Sequence, residues 1–116
     1  MPIYRVATYT IRPDARMEAD QAMHELASHV RTALPGVAWT AYRDRVDRLR
    51  YISITVADDA ATDEQWRAAP GVQAFWRSLE RCLAGEVSTS EVELVTSSNL
   101  APRHRPERGT PRRRSR

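Results

Sequence analysis

Tryptophan, tyrosine and histidine are the side chains through which this 116-residue chain could do chemistry. Trp39, Trp66 and Trp76 each supply a flat indole that can stack on an aromatic ligand and offer one N–H donor. Tyr9, Tyr42 and Tyr51 fall on strand-like stretches, and a phenol there, Tyr51 foremost, can orient a substrate hydroxyl. His29 sits at the edge of an apolar helical stripe, within reach of a pocket rim, whereas His24 points nearly opposite that stripe. The two histidines are five residues apart, which suits neither helical spacing for a shared metal, so no metal site is expected. Arg5 is a cation in an otherwise neutral strand, placed for a subunit salt bridge or an acidic ligand group. Cys82, the single cysteine, precludes an intrachain disulfide and reads as a small buried hydrophobe with no neighbouring base. Each aromatic also has a packing reading. Trp76 belongs to a helical stripe, Trp66 suits core or dimer packing, and Trp39 faces either a pocket or another subunit. No nucleophile–base pair is recognisable.

Charge divides the chain in two. All 18 cationic side chains are arginines. Residues 1–98 hold 11 Arg against 14 Asp and Glu, a net of −3, and residues 99–116 hold 7 Arg against 1 Glu, a net of +6. The basic total therefore describes the end of the chain and not its body. That end, with Pro102, Pro106 and Pro111 and only Leu100 as a sizeable apolar side chain, offers no burial to offset an ordering cost of about 1–2 kcal/mol per residue. The expected organisation is one domain over residues 2–98 and a disordered arginine-rich tail over 99–116. The tail has no interleaved aromatics for base stacking, so nucleic-acid binding is not the expected role. No stretch approaches the ~20 apolar residues of a membrane span, and no apolar signal core follows Met1-Pro2, so the expectation is a cytoplasmic protein with no membrane partner.

The elements that position these side chains follow from periodicity. Residues 3–11 are β-branched and aromatic and predict a strand. Asp14 is a candidate N-cap for a helix to about Ala33, whose stripe is Ala19, Ala22, Met23, Leu26, Val30 and Ala33. Pro35-Gly36 ends it. Strands follow at about 37–43 and 49–56, joined by a polar loop. Thr62-Asp63-Glu64-Gln65 has the form of a capping box for a short helix. Pro70 opens another helical segment with the stripe Val72, Phe75, Trp76, Leu79 and Leu83, closed by Gly85. A last strand is predicted over about 87–96. The order β-α-β-β-α-β predicts a ferredoxin-like α+β fold, with two helices on one face of a four-stranded antiparallel sheet. The other face, expected to carry Tyr4, Val6 or Tyr9 together with Leu49 and Tyr51, needs a cover, and a second copy of the same sheet would provide it. The expected assembly is a homodimer.

With Arg12-Pro13-Asp14 opening the first helix, Pro35-Gly36 before the second strand, and Trp66-Arg67-Ala68-Ala69-Pro70-Gly71-Val72-Gln73-Ala74-Phe75 in the second helical region, the chain resembles the antibiotic biosynthesis monooxygenase superfamily of dimeric α+β barrels. The resemblance covers about residues 3–96. It implies a pocket between helices and sheet, and oxidation of phenols or quinols by molecular oxygen with no metal or flavin cofactor. Many members carry Glu-x-Trp at the end of the third strand and a histidine nine residues beyond that tryptophan. Here Thr55-Val56-Ala57 stands for the first and Trp66 for the second, so the carboxylate, the indole and the imidazole are absent from those positions.

The resulting expectation is a cofactor-independent monooxygenase-like protein acting on an aromatic polyketide or quinol. Its substrate-binding side chains would be Trp39, Trp66, Tyr51, His29 and Trp76, with no assignable catalytic residue. The alternative is a non-enzymatic dimer that binds a small aromatic ligand or assists a biosynthetic pathway.

Overall fold

Alternation and turn chemistry lay out a single sheet. The computed structural model describes residues 1–99; from Leu100 onward the predicted tail lies outside the described residues. Strands β1 (Ile3–Thr10), β2 (Val37–Arg43), β3 (Arg50–Ala57) and β4 (Ser88–Val92) pair antiparallel in the order β2-β3-β1-β4. Tyr9 lies opposite Tyr51, Trp39 opposite Thr55 and Tyr4 opposite Val92. Helices α1 (Arg16–Ala33), α2 (Ala60–Ala68) and α3 (Pro70–Glu80) cover one face. This is the predicted ferredoxin-like α+β arrangement, with the second helical region broken in two. The break is at Ala69, whose ψ of 129° is the extended conformation that a following proline imposes, and Pro70 then starts α3 at its N-terminal end.

The core forms where the helical stripes meet the sheet. Ala19, Ala22, Met23, Leu26 and Val30 of α1 are buried, as are Val72, Phe75 and Leu79 of α3. Each large apolar side chain buried this way stabilises the fold by roughly 1.5–3 kcal/mol. Cys82 is fully buried just beyond α3, as its small apolar character predicts. Gly36 has φ of +88°, so the glycine after Pro35 is required by the turn out of α1. Gly71 serves a close approach instead: a Cβ there would meet the His29 ring of α1 at 2.6 Å.

Several local expectations are corrected. Asp14 does not cap α1; it lies in a 3-10 turn, Pro13–Ala15, and accepts a hydrogen bond from Arg12 Nε at 3.1 Å. The cap of α2 is Asp59, whose carboxylate accepts from the Thr62 N–H at 2.8 Å, so the helix starts earlier than the Thr62 box implies. That frees Asp63 to turn inward, where it is buried. Ala33, the last residue of α1, is exposed, and the buried stripe ends at Val30. Helix α3 ends at Glu80, with Cys82 N–H bonded to Leu79 O at 2.8 Å, so Gly85 plays no part in closing it. Strand β4 stops at Val92, where its partner β1 runs out, leaving Leu94 and Val95 exposed.

The largest correction concerns the two faces of the sheet. Tyr9 and Tyr51 belong to the helix-covered face and are each 2% exposed, and Ser53, Thr55 and Ala57 are buried on the same face. The open face carries Tyr4 and Val6 as expected, but its other members are Ile52, Ile54 and Val56, with Ala38, Tyr42 and Val92 beside them in register. Among the described residues no helix is long and apolar enough to cross a membrane.

Candidate functional site

The covered face of the sheet is unusually polar for a core. Along β3 it reads Tyr51, Ser53, Thr55 and Ala57, all buried. Beneath α2 and α3 these residues leave a cavity of about 320 Å³, walled by the indoles of Trp66 and Trp76 and floored by Ala7, Ser53 and Thr55. Arg5, Thr89 and Glu91 border it from β1 and β4. Thr55 and Trp66, two of the positions that replace the resembled family's polar set, thus meet in one cavity. Ala57 is fully buried.

Aromatic rings join this cavity to the rest of the core. Trp76 meets Tyr9 edge-on at 6.3 Å and Phe75 at 5.2 Å, while Phe75 meets Trp39 at 5.6 Å. Tyr9 stacks on Tyr51 with their planes 6° apart. Such pairs add about 0.5–1.5 kcal/mol each beyond burial. Two polar atoms inside this cluster, the Tyr9 hydroxyl and Trp39 Nε1, are buried with no hydrogen-bond partner among the described residues. An unpaired buried donor costs roughly 1–3 kcal/mol, so these atoms call for a water or a ligand oxygen. Burial raises the Tyr9 pKa above its ordinary value; Ser53 pulls the other way, although its contact with the phenol falls short of a hydrogen bond. Tyr9 is therefore a neutral donor and not a base.

The five predicted site residues do not share one pocket. Trp66 and Trp76 line the cavity just described. Trp39 and Tyr51 line a groove of about 520 Å³ between α1 and the edge strand β2. There the Tyr51 hydroxyl donates to Asp20 Oδ1 at 2.9 Å and accepts from Arg43 Nε and Nη2 at 3.1 Å, while Arg43 Nη2 also reaches Asp20 Oδ2 at 2.6 Å. His29 faces a third depression, between α1 and α3, packed over Gly71. His24 borders the α1–β2 groove and does not share a depression with His29.

Sequence reasoning missed Asp63. Its carboxylate accepts Arg5 Nε at 2.8 Å and Arg5 Nη2 at 2.7 Å, and Arg67 Nε at 3.1 Å. The Arg5 hydrogen bonds hold Asp63 below its ordinary pKa, against the opposing effect of burial. The Asp63–Arg67 spacing of one helical turn was a visible signal; the reach to Arg5, 58 residues away, was not.

No family model matches the chain, and no curated protein matches it. Solved structures do. An antibiotic biosynthesis monooxygenase superposes with a TM-score of 0.74 at 17% identity, over 81% of this chain and 99% of its own. A mutant of SnoaB, a cofactor-independent oxygenase from Streptomyces nogalater, gives 0.74 at 18% identity over 85% and 98%. Rv0793 from Mycobacterium tuberculosis gives 0.75 at 16% identity over 84% and 99%. The class the coordinates define is therefore the α+β fold of the antibiotic biosynthesis monooxygenase structures.

Proposed function

We propose that the protein is a cofactor-independent, monooxygenase-like enzyme for an aromatic polyketide or quinol, acting in the cytoplasm as a homodimer. The observation that carries this reading is the cavity under α2 and α3. Its walls are indoles, its floor carries hydroxyls, and an unpaired Tyr9 phenol lies in the aromatic cluster alongside. Two indole walls facing a row of hydroxyls suit a flat, oxygen-substituted ring. Within it an electron-rich phenolate would react with oxygen directly, while the pocket orients the ring and excludes water. The fold shared with a cofactor-independent oxygenase supports the same chemistry. The substrate contacts are Trp66 and Trp76 with Ser53 and Thr55; Trp39, Tyr51 and His29 serve packing and the neighbouring grooves.

The open face of the sheet supports the dimer. Ile52, Ile54, Val56, Val6 and Tyr4 form a contiguous apolar surface, and a twofold copy of one surface is self-complementary. The folding unit of this reading is residues 2–98, so deleting residues 99–116 should leave both the melt and the dimer intact.

Oxygen uptake with a reduced naphthoquinol in metal-free buffer tests the enzyme. A rate above the protein-free control is expected. No increase across several phenolic substrates would favour the second reading, a non-enzymatic ligand-binding or accessory protein. One observation already leans that way: among the described residues the cavity is lined by a single carboxylate, Glu91, which is 60% exposed and lies 3.6 Å from Arg5.

A further inference from the structure

A cavity whose one lining carboxylate, Glu91, is largely exposed still needs its ligand ionised if a phenolate is to react, and the cavity is bordered by a held cation. Arg5 projects from the covered face of β1, opposite Thr55. Its Nε and Nη2 are committed to Asp63 in a bidentate fork, so Nη1 remains for a ligand. Asp63 is 2% exposed, which fixes the guanidinium from behind, on the α2 side. The same carboxylate also takes Arg67 Nε at 3.1 Å. The Arg67 side chain is 57% exposed, so solvent screens it, and the fixed charges beside the cavity are the Arg5 guanidinium and its buried Asp63 anchor. Glu91 sits 3.6 Å from Arg5 Nη2, but its side chain is 60% exposed and its field is screened by solvent.

We propose that the ligand of this cavity is an acidic enol or hydroxyquinone bound as its anion, with Arg5 as the specificity-determining residue that holds the charge. The inference rests on the cavity being the substrate site. A guanidinium within a few ångströms lowers the pKa of a hydroxyl by about 1–3 units. The O–H bond breaks on binding, its electron pair stays on the oxygen facing Arg5, and the proton leaves to solvent. No protein group has to accept it. Asp63 is a positioning residue in this scheme: it never touches the ligand and aims the fork that does. The hydrogen bonds that Arg5 donates to Asp63 keep it charged, its pKa raised further above the ordinary arginine value.

The probes are 2-hydroxy-1,4-naphthoquinone, whose visible absorption changes on ionisation, and its methyl ether, which cannot ionise. Binding to the full chain is followed by tryptophan quenching, and ionisation by absorption across pH. The hydroxyquinone should bind about tenfold tighter than the ether, and its bound hydroxyl should titrate about one unit lower than in free solution. In Arg5→Gln/Asp63→Asn both advantages should disappear while the ether binds as before. Should that variant not melt cooperatively, the unaltered protein still decides: the hydroxyquinone-to-ether preference must shrink as salt rises from about 0.05 to about 1 M. Equal binding of the two quinones, or a preference untouched by the double substitution or by salt, overturns the role of Arg5 and leaves the aromatic cavity standing. Binding of neither quinone overturns the cavity as a substrate site, and this inference with it.

Discussion

The two faces of the sheet have exchanged the characters expected of them. Toward the helices β3 presents Tyr51, Ser53 and Thr55; toward the outside it presents Ile52, Ile54 and Val56. A lone domain placing its most apolar strand residues outward and its hydroxyls inward would be poorly stabilised. The reading proposed above gives each face a partner: another copy of the chain outside and a polar aromatic ligand inside. On that reading, burial and polarity together, and not burial alone, separate the assembly surface from the chemical one.

The strongest way to break the comparison is on the outer face. Ile54→Asp should weaken a dimer by about 3 kcal/mol, roughly a hundredfold in dissociation constant, because it places an unpaired charge in a desolvated apolar patch. Sedimentation equilibrium reads this directly, and an unchanged mass would remove the open face as the interface. Ligand quenching by the inner cavity should survive in the monomer.

Next comes the buried carboxylate on the inner side. Asp63→Ala leaves Arg5 without its anchor and should cost about 2–3 kcal/mol in urea unfolding, less than a fully buried pair because the Arg5 side chain is 31% exposed. The pH dependence has a definite sign. Asp63 has a lowered pKa in the folded state, so its contribution is complete above the ordinary aspartate value of about 4 and fades as pH falls through the lowered one. Asp63→Asn should therefore flatten the acid limb of the stability curve. A variant with the same acid limb as the parent would show that Asp63 is not held as described.

Smaller effects sharpen the contrast. Gly71→Ala should cost about 1 kcal/mol, since the added methyl displaces the His29 ring, a movable side-chain end, and not backbone. Tyr9→Phe should leave stability unchanged or raise it by up to about 1 kcal/mol, because the deleted hydroxyl has no partner. The same substitution should weaken binding of an oxygenated aromatic severalfold in a fluorescence titration. A stability loss with unchanged binding would mark Tyr9 as structural.

The element order was legible because its signals are local: the three–four spacing of Ala19 to Val30, the Pro35-Gly36 stop and the proline that starts α3. The face assignment was not. A strand of the form Tyr-Ile-Ser-Ile-Thr-Val-Ala invites burial of its isoleucines, and only the packing of the helices onto Tyr51, Ser53 and Thr55 reveals the opposite. The candidate site was half legible. Trp66 and Trp76 were singled out by side-chain chemistry and do share a cavity, whereas Trp39, Tyr51 and His29 were drawn from elements whose relative placement no local pattern encodes. Arg5 was noticed as a lone cation; its partner Asp63 looked like an ordinary first-turn acid until the third dimension joined them.

Cys82 gives the molecule an internal clock. Its thiol is fully enclosed beyond the end of α3, where its carbonyl ties down Arg12 N–H at 2.8 Å, and burial raises its pKa. A thiol reagent in solution meets this sulfur only in the moments when the end of α3 lifts away from β1. As the chain holds one cysteine, every labelling event counts the same opening. The rate at which a bulk population loses its free thiol thus reports how often that corner breathes.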